Sequence, residues 1–90
     1  MPKFSLGQVV ATPGALIALD AAGHAPREFL DRHSRGDWGE LDEHDRHENE
    51  WSLVHRCRLL SAYHLRDGTK IWIITEADRS ATTILLPEEY

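Results

Sequence analysis

His33 and Asp37 are of the types that do acid–base chemistry, and they flank Gly36 where a helix reads as ending. A carboxylate that accepts from one imidazole nitrogen leaves the other as a base near neutral pH. The plainer reading sets His33 near the negative end of the helix dipole, with Asp37 accepting from nearby backbone N–H groups. Ser61 and Tyr63 complete the catalytic candidates, since alternation along a strand points both to one face. Spacing alone identifies no nucleophile among them.

A second group surrounds the turn from Thr75 to Thr83. Arg79 offers a planar fork suited to carboxylate or phosphate, and Asp78 and Thr82, with the other hydroxyls there, would complete a ligand site. Against this, Asp78 and Ser80 are turn formers, and Arg79 has acids available in Glu76 and the third helix. A third group, Asp42, His44, His47, Glu48 and His55, has partial metal-ligand spacing, with His44 and Glu48 one helical turn apart. It lacks an HExxH arrangement and reads as a solvated face, so no metal is assigned and no cofactor is implied.

The fourth feature is charge. Between Asp37 and Glu50 stand seven acids (Asp37, Glu40, Asp42, Glu43, Asp45, Glu48, Glu50) against Arg46, a local net of −6 in a chain of net −5. Such a face is either ordinary solvated surface or a dock for a basic partner, and Glu43, Glu48 and Glu50 are its partner-binding candidates. The acidic balance argues against direct nucleic-acid binding, which rests on neutralising phosphates.

The elements that position these residues are punctuated clearly. Thr12-Pro13 opens a first helix that Gly23 closes, Pro26 opens a second that ends at Gly36, and Asp42 caps a third running to about Arg56. Trp38, between Gly36 and Gly39, is expected to dock into the core. On the third helix two faces compete: Leu41, Asp45, Asn49, Ser52 and Leu53, which is preferred as the buried one, and His44, His47, Trp51 and Val54.

Three strands follow at Arg58–His64, Lys70–Glu76 and Ala81–Leu86. Asp67-Gly68 supplies positive φ for the first hairpin, and Pro87 stops the last strand. Ile71, Ile73 and Thr75 share one face, and Trp72, Ile74 and Glu76 the other. The expected fold is α+β, a single domain over residues 1–90. It has two short helices and a longer third packed on a C-terminal three-stranded antiparallel meander, with Val9-Val10 as a possible extra strand. Strand edges at Arg58–His64 or Ala81–Leu86 are the places where a homodimer could pair.

Cys57 is the single cysteine, so no internal disulfide forms, and it reads as a half-buried thiol. No apolar run approaches the roughly 18 residues of a membrane span, and the N-terminus lacks a signal-peptide core; a cytoplasmic location is expected.

Several runs together carry a resemblance: Thr12-Pro13-Gly14-Ala15-Leu16, Arg32-His33 with Gly36-Asp37-Trp38-Gly39, Asn49, Leu60-Ser61-Ala62-Tyr63, and the closing stretch from Ile71 to Tyr90 containing ITEADRSATTILLPEEY. Over nearly its whole length the chain resembles a family of small bacterial proteins labelled "plasmid-related protein" and met on mobile elements. The resemblance implies genomic company and no particular activity. The chain departs from that pattern at Val54-His55-Arg56-Cys57, where a glycine is expected.

Two functions follow as expectations. One is a small acidic interaction or regulatory protein that binds a protein partner, such as an inhibitor of host restriction or CRISPR defence. The other is a small enzyme or anion-binding domain using His33, Asp37 and Arg79.

Overall fold

The computed structural model describes all of residues 1–90. Its elements run β1 (Gln8–Ala11), α1 (Pro13–Ala22), α2 (Pro26–Ser34), α3 (Glu43–His55), β2 (Leu59–His64), β3 (Lys70–Thr75), β4 (Ala81–Leu85) and a single 3-10 turn at Pro87–Glu89. The helix starts obey their local chemistry. Thr12 Oγ1 accepts from the Ala15 N–H at 3.1 Å and Asp42 Oδ1 from the Asp45 N–H at 2.8 Å, each satisfying a free amide of the first turn. Gly23 closes α1 at φ 74°. Helix α3 closes on Arg56 at φ 55°, a left-handed position that costs a side-chain-bearing residue roughly 1 kcal/mol. Arg56 thus stands at a backbone position that glycine would occupy without strain.

The strands make one sheet in the order β1-β4-β3-β2. Strands β2, β3 and β4 pair antiparallel, whereas β1 pairs with β4 in parallel. The expected three-stranded antiparallel meander is therefore corrected to a four-stranded mixed sheet. The N-terminal segment earns its place through close approach. Gly7, at φ 64°, passes so near the Arg79 and Ser80 carbonyls that no Cβ would fit there. From that point the Gln8 N–H donates to Ser80 O at 2.9 Å and the Thr12 N–H to Ile84 O at 3.0 Å. The helices between β1 and β2 carry the chain far enough to permit parallel pairing.

Strand limits also tighten, leaving Arg58, Glu76 and Leu86 outside the ladder. In the β2–β3 turn only Gly68 takes positive φ; Asp67 instead accepts from the Thr69 N–H at 3.0 Å.

One face of the sheet supplies the core wall. Tyr63, Ile71, Ile73 and Ile84, with Leu65, meet Ala15, Leu19 and Ala22 of α1 and Phe29 of α2. Each large side chain so buried contributes about 1.5–3 kcal/mol. On α3 the preferred face is the inward one, with Asn49 and Ser52 buried and Leu41 and Leu53 half-buried, although Asp45 on that face stays exposed; His44, His47, Trp51 and Val54 are exposed.

Helix α3 lies along the outer edge of β2. Asn49 donates through Nδ2 to Leu60 O at 2.6 Å and accepts at Oδ1 from the Leu60 N–H at 3.1 Å, standing in for a peptide group of a further strand. Next to it the Glu40 N–H donates to Ala62 O at 2.6 Å and the Ala62 N–H to Trp38 O at 3.1 Å. Gly39, at φ 76°, makes that approach possible, because a Cβ would overlap the Ala62 carbonyl oxygen. The edge of β2 is thus occupied at Leu60 and Ala62, and β4 is interior. Of the two segments expected to pair between copies, β4 offers no free edge and β2 keeps only His64 outside these bonds, whereas β1 is free along its length.

Candidate functional site

The catalytic candidates gather in the interior. His33, on the inward face of α2, is fully buried with Ser61 on β2, Thr75 on β3 and Thr82 on β4. Its Nδ1 lies 2.5 Å from Ser61 Oγ and its Nε2 2.9 Å from Thr75 Oγ1. Thr75 Oγ1 lies 2.7 Å from Thr82 Oγ1, which donates to the Leu6 carbonyl at 2.7 Å.

That last bond orients the whole series. A carbonyl only accepts, so the Thr82 hydroxyl proton is committed to Leu6. Thr75 must then donate to Thr82, which obliges it to accept from His33 Nε2–H. A neutral imidazole protonated at Nε2 accepts at Nδ1, so Ser61 donates to His33. Every proton has one place, and no buried side-chain polar atom is left unpartnered.

Burial, aided by the positive charge of Arg79, lowers the His33 pKa to about 4, so the ring is neutral at pH 7. Phe4 and Trp38 stand edge-on to it, with centroids at 5.1 and 5.8 Å. A serine hydroxyl donating to an imidazole is the geometry of an activated nucleophile. Here, however, serine and imidazole are both sealed, and neither hollow in the surface reaches them.

His33 and Asp37 do not meet. The Asp37 carboxylate accepts from Arg32 Nε at 2.7 Å, which holds it below the usual carboxylate range, and from the Gly39 N–H at 3.2 Å. Its carbonyl, in turn, accepts from the Tyr63 hydroxyl at 2.6 Å, and burial pushes that phenol up to about 12.

The residues of the 75–83 turn also part company. Arg79, itself at φ 62°, is buried and donates to the carbonyls of Cys57 at 2.7 Å and of Ser52, Glu76 and Ala77 at 3.1 Å. Its fork fastens the C-terminal end of α3 to the β3–β4 turn, as a cation does at the negative end of a helix. Asp78 faces solvent and accepts from the Ser80 N–H, while Thr82 points inward.

What the surface presents is α3. All seven acids from Asp37 to Glu50 are exposed. Glu50 accepts from the buried Trp38 indole at 2.8 Å, fixing one side of the helix. Helical spacing places Glu43, His47, Trp51 and Val54 along the outward stripe, with Glu48 on the opposite flank beside Asp45. Trp51 is 53% exposed and Val54 77%, and the Trp51 ring stacks on His55 at 3.9 Å. His44, His47 and Glu48 do not close into a group; no three His, Cys, Asp or Glu side chains are placed to hold a metal ion. No helix is long and apolar enough to cross a membrane.

In the sequence Trp51 and Val54 read as a rival core face; in the fold both are exposed. Their spacing with His47 was the available signal. No family model, curated protein or solved structure matches the chain.

Proposed function

We propose that this protein is a non-enzymatic interaction module whose partner docks on the outward face of α3. One observation carries the reading: the side chains able to do chemistry are closed inside the fold, while α3 displays Trp51 and Val54 unsheltered on one stripe with Glu43, and its other exposed acids on the flanks. The acids accelerate encounter with a basic surface, and Trp51 supplies the kind of anchor that dominates binding energy. The partner is accordingly a protein with a basic surface and an apolar recess. A nucleic-acid-processing enzyme of host defence, restriction or CRISPR, has such a surface, and the resemblance to proteins of mobile elements supplies a reason to bind one.

The test is affinity capture from a bacterial host lysate with the wild type, Trp51→Ala and a Glu43→Lys/Glu48→Lys double variant. A protein held by the wild type and released by both variants supports the reading. Equal capture by all three would overturn it.

The second reading, a small enzyme, is favoured by the 2.5 Å contact between Ser61 and His33. It requires the arm bearing Phe4 to leave. Labelling of Ser61 by a serine-directed phosphonylating probe would support it, and inertness over hours at pH 7 would remove it.

A further inference from the structure

The free edge of the sheet is the surface whose partner the structure specifies most fully. In the parallel pairing of β1 with β4, Gln8 and Thr12 bond to β4, and alternation adds Val10. The N–H and C=O groups of Val9 and Ala11 therefore point away from the sheet. Neither residue makes a backbone bond outside that ladder.

Natural sheets protect such edges with lysine, proline, bulges or a covering segment, and the Gln8-Val9-Val10-Ala11 edge has none of these. Val9 and Val10 are 43% and 42% exposed, and Leu16 and Ile17 on the helix that follows are 48% and 70% exposed.

Charge decides what covers this edge. From Phe4 to Leu19 there is no charged side chain, in a chain of net −5 with 25 charged residues (10 basic and 15 acidic). The charged side chain in contact with this segment is Glu89, whose carboxylate accepts from Thr12 Oγ1 at 2.5 Å and lies beside Gly14, at the end of β1 rather than along it. Two copies of this acidic chain that meet about Val10 bring Thr12 opposite Gln8 of the other copy, so the two Glu89 carboxylates are not set against each other.

We propose that β1 pairs antiparallel with β1 of a second copy about a two-fold axis through Val10. Val9 of each copy then stands opposite Ala11 of the other and four N–H···O bonds form, joining two four-stranded sheets into one of eight strands. Val10 meets its own counterpart on the face of the sheet away from the helices, because it pairs with half-buried Thr83 whereas Val9 and Ala11 pair with inward Thr82 and Ile84. The strand order puts α3 at the far side of each sheet, so the dimer carries its acidic helices at opposite ends. If the α3 reading holds, the dimer is a bivalent binder, but the pairing does not depend on it.

Sedimentation of the full chain from about 1 µM to 1 mM tests this, a span that covers weak association through short edges. The expected mass rises from 10.3 kDa toward twice that value. Val10→Lys sets two ammonium groups together and should weaken the dimer at least 10-fold with an unchanged circular dichroism spectrum. Mixing Val10→Lys with Val10→Glu should restore it, and Val54→Lys, at the other end of the molecule, should leave it intact. A monomer at every concentration overturns the proposal, as does a dimer indifferent to Val10→Lys or dissolved by Val54→Lys. Should the Val10 variants fail to fold, exchange of the wild-type Val9 and Ala11 amides decides: slowing with concentration supports the pairing, and constancy refutes it.

Discussion

At one side of the sheet, β2 is met by Asn49 and by the Trp38–Glu40 segment, which use its outward groups at Leu60 and Ala62. At the other, β1 shows Val9 and Ala11 with no partner. The closed side requires specific residues: a glycine at 39 for the approach, an asparagine at 49 to mimic a peptide, an indole seated on Glu50. On the open side Gly7 lets β1 reach β4, and the outward edge itself carries uncharged residues and no closing device. An edge closed by three separate devices is protected from further pairing, whereas one left bare in the same small domain is open to it.

Substitutions should separate the two sides by magnitude. Gly39→Ala drives a Cβ into the Ala62 carbonyl at a left-handed position, and denaturant unfolding should show a loss of about 4 kcal/mol, at the top of the range for one residue. Anything under about 1 kcal/mol would mean that the 38–40 segment is free to move aside.

Acid should act next, from the interior. The folded pKa of His33, about 4, lies below its unfolded value near 6.5, so the unfolded chain takes up the proton first. This contribution to stability is fully present above pH 6.5. It falls as pH drops through that value and levels off near pH 4, a loss of about 3 kcal/mol. His33→Gln, with one donor and one acceptor retained, should flatten the dependence in that window. Self-association should not follow the same curve, since Phe4 to Leu19 contains no titratable side chain and Glu89, which touches Thr12, is held below the usual carboxylate range by that hydroxyl.

Asn49→Ala leaves the Leu60 N–H and C=O without partners and should cost about 2 kcal/mol in the same unfolding measurement. Asn49→Asp should cost at least as much at pH 7, because a carboxylate then faces the Leu60 carbonyl. It should recover part of the loss on acidification, when the protonated acid can donate. Val9→Lys comes last, changing stability by less than about 0.5 kcal/mol, as at other surface positions. A large loss there would show that the β1 edge is not free.

Much of this was legible in the sequence because it is local. Thr12-Pro13, Gly23 and Asp42 mark helix ends through groups within a few residues, and Ile71, Ile73 and Thr75 mark a buried face by alternation alone. The parallel pairing of β1 with β4 was not legible, since it joins segments at opposite ends of the chain and leaves no periodic trace. Asn49 looked like one polar residue among many; only the position of Leu60 gives it a purpose.

The interior network was half visible. Ser61 shares the face of Tyr63, and Thr75 that of Ile73, so inward hydroxyls in need of a partner could be inferred. That His33, at helical spacing from Phe29 and Leu30, supplies that partner needed the packing of α2 on the sheet. Asp37 stood close enough in sequence to be its companion, but the plainer reading of that carboxylate is the one that fits: it accepts from the Gly39 N–H, and from Arg32 as well.

Amide hydrogen exchange followed by NMR at two protein concentrations tests the contrast most directly. The amides of Leu60 and Ala62 should exchange slowly at both, limited by unfolding, whereas those of Val9 and Ala11 should exchange fast when dilute and slow when concentrated. Val9 and Ala11 amides that exchange equally fast at both concentrations, or Leu60 and Ala62 amides as unprotected as they are, would contradict the picture of one closed edge and one waiting for its copy.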